Sequence, residues 1–229
     1  MSFDENARKL RAKSFRRLQG VTTVCTLKVG VGPNCAIVIE SLLCSGAAPP
    51  SAIIVVGFAG GLDPKLMPGS IVAADCVLDV RTGELYAPDP TLLEAVSRVG
   101  HGDISLDVGR VATDDHVLVL SSEKQRLAQS TQAVAVDMES SVIARAASRY
   151  GVPWIAVRVI TDGLNDDLPL DFNVLARADG SVHRGAILMA ALLRPWTIPG
   201  LIRLGGRSSQ AARNLATFLH SYTSALLER

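Results

Sequence analysis

AVAVDMESSVIARAASRYGVPWIAVRVITDGLND, residues 133–166, is the stretch that decides the fold of this chain. It is apolar at first, then has the spacing of a helix, and then becomes apolar again. A strand, a helix and a second strand in this order are typical of an α/β domain with a largely parallel sheet. Each predicted strand ends at acids: Asp137 and Glu139 follow the first, and Asp162 ends the second.

Short apolar runs that alternate with helical patterns continue on both sides of this stretch. Runs such as AIIVVGF are apolar almost without interruption, which predicts a sheet covered on both faces. From about residue 168 the pattern changes to successive helices. The predicted strands are 22–32, 51–62, 69–80, 103–113, 133–136 and 153–160, and the predicted helices are 4–18, 34–46, 91–99, 122–130 and 139–150.

Length, charge and cysteine content restrict the class of protein. A chain of 229 residues predicts one structural domain, with an α/β part over 1–172 and a helical extension over 173–229 packed on it. The formal net charge of +1 gives no reason to expect a nucleic-acid partner. Four cysteines without metal-ligand spacing predict reduced thiols and a cytoplasmic protein. Four scattered histidines predict no metal site, and no cofactor is expected.

The carboxyl ends of the predicted strands carry glycines or acids. In open α/β sheets, ligands bind outside these ends, so the acids are expected to line a shared crevice with the glycine turns at 30–32 and 57–61. Simpler interpretations stay open. Asp137 and Glu139 are also favoured at a helix start by capping and by the helix dipole. The glycines are also explained by turns alone.

Three segments in this order resemble the purine nucleoside phosphorylase and methylthioadenosine/S-adenosylhomocysteine nucleosidase superfamily. They are GFAGGLDPKLMPGSIVAAD, AVDMESSVIARAA and VPWIAVRVITD, and the resemblance covers residues 23–172. It implies a three-layer α/β/α fold with a mixed, mostly parallel central sheet. It also implies an enzyme that cleaves the N-glycosidic bond of a purine nucleoside.

The resemblance also implies roles for individual residues. Asp162 would protonate or hydrogen-bond the purine, and Glu139 would bind the ribose hydroxyls. An acid near the base prevents the purine from leaving as a bare anion, and a carboxylate stabilises the positive charge that grows on the sugar. The other residues expected to contact substrate are Gly32, Phe58, Ala59, Gly60, His116, Asp137, Met138 and Thr161.

The N-terminal segment departs from the family pattern. The family begins with a strand that leads to an acid, and this acid activates water in the nucleosidases. Here the chain opens at MSFDENARKL, so we expect the first strand to be missing and Glu5 or Asp4 to supply the acid. Either Met1 is an internal start or the protein dispenses with that strand. An ordinary pair of acids at a helix start is the simpler interpretation of Asp4 and Glu5.

Two further departures concern phosphate and the base. The phosphorylases usually place an arginine before the second glycine turn, whereas this chain is apolar there, and Arg8 or Arg11 would have to bind phosphate instead. Hydrolysis and phosphorolysis therefore both stay open. His116 occupies the position of an aromatic residue that flanks the base in the nucleosidases, and a surface histidine is the competing interpretation.

The C-terminal segment resembles the hopanoid-associated phosphorylases. RADGSVHRGAILMAALLRPWTIPGLIRLGGRSSQAARNLATFL, residues 177–219, carries the DG turn, the LLRP helix end and the IPGLIRL segment of that subfamily. The implied substrate is adenosylhopane, which would release adenine and ribosylhopane. Peripheral membrane contact is expected through an apolar strip flanked by arginines; packing of that strip on the core is the alternative. The strip is Ile198, Leu201, Ile202 and Leu204, and the arginines are 194, 203, 207 and 213.

Two other functions remain open. One is a nucleosidase for methylthioadenosine or 5'-deoxyadenosine, and the other is a purine-binding relative without catalysis. The presence of both Glu139 and Asp162 favours an enzyme. A homo-oligomer is expected from the family resemblance alone.

Overall fold

The computed structural model describes residues 16–17, 23–32, 35–44, 49–99, 102–175 and 193–227. Strands and helices alternate over the central part, as the sequence predicts. In chain order they are β1 (Arg16–Arg17), β2 (Thr23–Val24), α1 (Cys35–Leu43), β3 (Ile53–Gly61), β4 (Ile71–Asp79), β5 (Leu85–Tyr86), α2 (Pro90–Val96), β6 (Leu106–Thr113), α3 (Ser121–Thr131), β7 (Ala135–Asp137), α4 (Ser140–Arg149), β8 (Trp154–Asp162), α5 (Phe172–Leu175) and α6 (Ile198–Leu227).

The central sheet is mixed, and its two longest pairings, β3 with β8 and β4 with β6, are parallel, so the predicted fold class is confirmed. Its strand order is β5-β4-β6-β7-β3-β8. Three pairings are parallel, β4 with β6, β6 with β7 and β3 with β8. Three are antiparallel, β3 with β7, β4 with β5 and β4 with β8. Because β4 also pairs with β8, the sheet curls until its two ends meet.

Helices cover both faces of β8, which gives the three layers. On one face, Trp154, Ala156 and Ile160 belong to a buried cluster with side chains of α1 and α4. The alternate residues Ile155, Val157 and Val159 pack with side chains of α2 and α6. Alternation along a strand sends successive side chains to opposite faces, so an all-apolar strand requires cover on both. Every residue of β8 is buried.

The long C-terminal helix α6 packs on the sheet through its second half. Ala211, Phe218 and Tyr222 are fully buried, and the Tyr222 hydroxyl donates to the carbonyl of Leu92 at 2.7 Å. Its first half is more exposed. Across the described ranges of the chain, no helix combines the length and apolar character that crossing a membrane requires.

The N-terminal part differs from the prediction. Arg16–Arg17 is a short strand, not the end of a helix over 4–18, and it pairs antiparallel with Thr23–Val24. The predicted strand over 22–32 is regular only at those two residues, and residues 25–30 have no regular secondary structure. The alternation of apolar side chains therefore marks an extended segment that finds no long partner strand among the described residues.

Candidate active site

The register of three strands brings the predicted motifs together. Gly60 on β3 lies opposite Val136 on β7 and opposite Asp162 on β8. Asp137 is the next residue on β7, and it pairs with Thr113 at the end of β6. Adjacent strands lie about 4.8 Å apart, so residues on β7 and β8 that flank one residue of β3 are roughly 10 Å apart.

The strands that carry the two acids run in opposite directions. β7 is antiparallel to β3, and β8 is parallel to it. The sequence argument that both acids end parallel strands at one edge is therefore wrong in its reason. The C-terminal ends of β3, β7 and β8 overlap in register, which brings Asp137 and Asp162 to opposite sides of β3.

Glu139 is held where β7 leads into α4, as the N-cap residue of that helix. Its Oε1 accepts a hydrogen bond from the backbone N–H of Gly32 at 2.8 Å. Gly32 has φ +66°, a left-handed conformation that glycine adopts without strain. This bond joins the first glycine turn to the acid, as the crevice hypothesis requires. Burial raises the pKa of Glu139, while the nearby Arg158 guanidinium opposes that rise.

Asp137 is enclosed by protein groups. Its Oδ2 lies 2.6 Å from Nε of Arg158, and its Oδ1 accepts from Thr113 Oγ1 at 2.8 Å. The backbone N–H and the hydroxyl of Ser140 also donate to this carboxylate. Its side chain has 0 % exposure. The expected substrate contact of Asp137 is thus replaced by a structural contact, in which Asp137 fixes the start of α4 beside Glu139.

Arg158 is the cation that organises this side of the site. Its side chain is 2 % exposed, and Nη1 lies 3.9 Å from Oε2 of Glu139. Nη2 also donates to Ser140 Oγ at 2.8 Å. Gly57, its neighbour on β3, leaves the space that the guanidinium occupies, since a Cβ there would overlap Nη1. Gly57 was predicted to form a turn, but in the structure its lack of a side chain allows Arg158 to pack against β3.

Asp162 ends β8 beside a bulge. Ala59 pairs with Ile160 and Gly60 with Asp162, so Thr161 is the extra residue. Thr161 Oγ1 lies 2.8 Å from Oδ1 of Asp162 and 3.3 Å from the Ala59 carbonyl oxygen. A bulge re-aims the side chains that follow it. The carboxylate of Asp162 forms a buried ion pair with Lys124.

The remaining predicted contacts differ in exposure. Phe58 is 49 % exposed on β3, whereas Ala59 is buried. A Cβ added to Gly60 would lie 3.3 Å from Oδ2 of Asp162, so the glycine gives close backbone access to that acid. Met138 is half-buried, and its Cε would lie 3.7 Å from a Cβ on Gly32. Phe58, Ala59 and Gly60 thus lie on β3, between the strands that carry Asp137 and Asp162, and Met138 lies beside Gly32.

His116 lies in an exposed loop with two acids. Its Nδ1 is 2.9 Å from Asp114 Oδ1 and 3.0 Å from Asp115 Oδ1. The hydrogen bond that its ring donates to the Asp115 carboxylate raises the pKa of His116. The donor atoms of these three residues lie within 4.8 Å of one another, a spacing compatible with a cation, but exposed acids commonly have this spacing without one. The ion pairs of His116 account for the cluster.

Comparison with known proteins agrees with this geometry. Residues 5–194 match the family described as the phosphorylase superfamily. The chain belongs to that superfamily. The 5'-methylthioadenosine/S-adenosylhomocysteine nucleosidase of Shewanella halifaxensis is 27 % identical over 78 % of this chain and 84 % of its own. That of Shewanella sediminis is 29 % identical over 77 % and 83 %.

Solved structures of the superfamily share the fold. The nucleosidase of the same name from Helicobacter pylori, in complex with butyl-thio-DADMe-Immucillin-A, has a TM-score of 0.67 at 14 % identity and covers 97 % of this chain and 92 % of its own. The Neisseria meningitidis enzyme with methylthio-immucillin-A has a TM-score of 0.67 at 18 % identity, covering 96 % and 94 %. The predicted superfamily, and with it an enzyme of nucleosidase or phosphorylase type, is confirmed.

Sequence analysis did not identify two cations that contact the acids of the site, Arg158 and Lys124. Arg158 sits inside WIAVRVI, and a charge in a strand buried on both faces requires a partner, so the signal was present. Lys124 sits in SSEKQRLAQST, a polar helix in which a lysine is normally solvated, so no signal marked it. The residues of the N-terminal acid and phosphate hypotheses lie outside the described residues: Asp4, Glu5, Arg8 and Arg11.

Proposed function

We propose that this protein cleaves the N-glycosidic bond of an adenine nucleoside. The observation that carries the proposal is the strand register, which sets Gly60 between Val136 and Asp162 while Glu139 binds Gly32. A base with its sugar attached spans a distance comparable to the separation of the two flanking strands.

Glu139 and Asp162 have different roles in the proposed reaction. As the bond to the base breaks, positive charge grows on the ribose, and a nearby carboxylate stabilises it. We assign this role and the binding of ribose hydroxyls to Glu139, since Arg158 stays 3.9 Å from Oε2 while the Gly32 N–H binds Oε1. We assign Asp162 to the base, where it would donate to or orient the purine. General acid assistance of this kind contributes roughly 10²–10⁴-fold.

Adenine release tests this proposal. The purified protein is incubated with adenosine, methylthioadenosine, 5'-deoxyadenosine and adenosylhopane, each with and without phosphate, and free adenine is measured by chromatography. Release without phosphate supports hydrolysis, and release that requires phosphate supports phosphorolysis. If none of the four yields adenine while the protein binds them, the non-catalytic relative replaces this proposal.

We further propose adenosylhopane as the substrate, because of the surface at the start of α6. Leu193, Trp196, Ile198 and Ile202 are all exposed, with Trp196 at 73 % and Ile202 at 71 %. We call these four residues the apolar tail surface. Such an exposed apolar group on a soluble fold commonly marks an interaction site. A hopane is a polycyclic hydrocarbon, so a surface of this kind suits its chemistry.

The apolar tail surface adjoins the segment that follows Asp162. A Cβ on Gly200 would lie 2.9 Å from Cβ of Pro169, and Arg207 binds Asp166 at 2.8 Å. The predicted strip is altered by these contacts, because Leu201 and Leu204 are half-buried and Arg207 is occupied by Asp166. Exposed Arg194 and Arg203 remain beside the surface.

Vesicle co-sedimentation tests the membrane part of this proposal. Basic residues beside an exposed apolar surface favour anionic lipid, so we expect binding to phosphatidylglycerol vesicles and little to phosphatidylcholine. Trp196→Ser with Ile202→Ser should remove the binding. Met67→Ser, at an exposed apolar residue elsewhere, is the matched control. A protein that ignores both kinds of vesicle has no membrane-docking surface here.

A methylthioadenosine nucleosidase is the second candidate, favoured by the names of the Shewanella relatives. The substrate panel separates the two, since such an enzyme would prefer the small 5' substituent. We also propose a homo-oligomer on the family resemblance, which light scattering of the purified protein would test.

A further inference from the structure

Lys124 is a buried lysine with a complete set of acceptors. It lies on α3, and its side chain is 1 % exposed. Its Nζ donates to the Asp162 carboxylate, to the Gly163 carbonyl at 3.1 Å and to the Asp166 carbonyl at 2.9 Å. A buried ammonium is costly unless it is paired and fully hydrogen-bonded. Three protons with three acceptors meet that condition.

The acceptors of Lys124 are fixed by contacts of their own. Oδ2 of Asp166 accepts the backbone N–H of Gly163 at 2.9 Å and also binds Arg207 of α6. Oδ1 of Asp167 accepts the backbone N–H of Ser121 at 2.7 Å, which ties the same loop to the start of α3. The lysine is therefore held in one position, with its charge directed at Asp162.

Asp162 is an acceptor at both oxygens in this arrangement. Lys124 donates to Oδ2, and the hydroxyl of Thr161 donates to Oδ1. An ammonium held against a carboxylate favours the charged form of that carboxylate.

We propose that Lys124 is a positioning residue that fixes the Asp162 carboxylate by a direct ion pair and so sets the pH range over which adenine is released. This rests on the proposed function, because it concerns the same acid. In the reaction, the bond between the sugar and the purine breaks, its electron pair goes to the base, and water or phosphate forms the new bond to the sugar carbon and releases its own proton to solvent. The base takes one proton that Asp162 has taken up from solvent, and Asp162 returns to the carboxylate form held by Lys124.

A pH profile of adenine release tests the role of the charge. Lys124→Met removes the ammonium that faces Asp162. We expect the pH above which kcat/KM falls to rise by about one unit or more, as for loss of an opposite charge at ion-pair distance. Gln125→Met is the matched control, since exposed Gln125 contacts Asn165 of the same loop without a charge. Its profile should match that of the wild type.

A folded Lys124→Met variant with the wild-type profile would overturn the proposal. Lys124→Gln, which keeps a donor for the loop carbonyls, is the second variant if methionine is not accepted. Thermal unfolding provides a readout without turnover. Lys124→Met and Asp162→Asn should each lower Tm, and the double variant should lose less than the sum. If the Tm losses of the two single variants simply add in the double variant, the proposal is also overturned.

These readouts separate this proposal from the proposed function. Wild-type protein that releases no adenine contradicts the proposed function alone, and the thermal cycle still tests the pairing of Lys124 with Asp162. Wild-type protein that releases adenine, with an unmoved profile in the variant, contradicts the role of Lys124 alone.

Discussion

The Glu139 side and the Asp162 side of the site begin from the same pattern but differ in electrostatics. In both, an acid follows a short apolar strand and lies near a buried cation. Arg158 gives its closest contact to Asp137, at 2.6 Å, and stands 3.9 Å from Glu139. Lys124 binds Asp162 directly. The two acids therefore differ in ion pairing, although both follow a strand. The cation near Glu139 is bound mainly to Asp137, whereas the cation near Asp162 is bound to Asp162 itself.

Asp162→Asn should have the largest effect on activity. The amide cannot deliver a proton to the base, so adenine release should fall by about 10²–10⁴-fold. Steady-state kinetics measures this, and circular dichroism checks the fold. Asp171→Asn, at an exposed acid nine residues later, is the control and should retain activity. Undiminished release by Asp162→Asn would remove this residue from the mechanism.

Gly57→Ala should damage the Glu139 side alone. The new Cβ would displace the Arg158 guanidinium from Asp137, and disturbing a buried ion pair costs on the order of 3 kcal/mol. Misplacement of Glu139 should lower kcat by about 10²-fold. Urea unfolding and kinetics measure the two effects.

Gly206→Ala is the control for that substitution. Gly206 is a helical glycine of α6, and a Cβ there meets nothing within 4 Å. Alanine should raise the free energy of unfolding by up to about 1 kcal/mol. Equal stability of Gly57→Ala and Gly206→Ala would mean that Arg158 moves aside freely and does not organise the site.

Glu139→Gln should separate stability from activity. Burial raises the pKa of Glu139, so the ionised form opposes folding. The contribution of protonated Glu139 to the free energy of unfolding is complete below the ordinary pKa of about 4.3. This contribution is lost as the pH rises through the raised pKa. The variant should therefore be more stable than the wild type at pH 7, on the order of 1 kcal/mol, and no more stable near pH 4.

Urea titrations at the two pH values measure this, and turnover of Glu139→Gln should fall. The Gly32 hydrogen bond survives, because the amide oxygen still accepts it. A stability difference that does not change between the two pH values would contradict the assignment of the effect to ionisation.

The sequence predicted the fold because its longest strands are largely apolar. The run over 153–160 requires cover on both faces, and the structure provides it with four helices. Strand direction was not predictable in the same way. The three residues of β7 run against β3, and nothing in AVD specifies that pairing.

The acids of the site were predictable, and most of their partners were not. Glu139 and Asp162 stand in recognisable motifs at strand ends. Lys124 reaches Asp162 from 38 positions away, through packing of α3 against the loop after β8. Such a contact depends on tertiary structure, which periodicity along one element does not report. Arg158 was different, because a charge inside an apolar strand was visible and required a partner.

Chemical labelling of Cys35 is expected to show the smallest effect. It tests whether the Glu139 side and the Asp162 side of the site respond separately. Burial and the charge of Glu139 raise the pKa of the Cys35 thiol to about 12. It should therefore resist thiol reagents at pH 8, where the exposed Cys25 and Cys44 react. Peptide mapping after labelling measures this. Gly57→Ala should speed labelling of Cys35, because displacing Arg158 loosens the same buried cluster, whereas Lys124→Met should leave it slow. Equal acceleration by both variants would show that the two sides of the site open together.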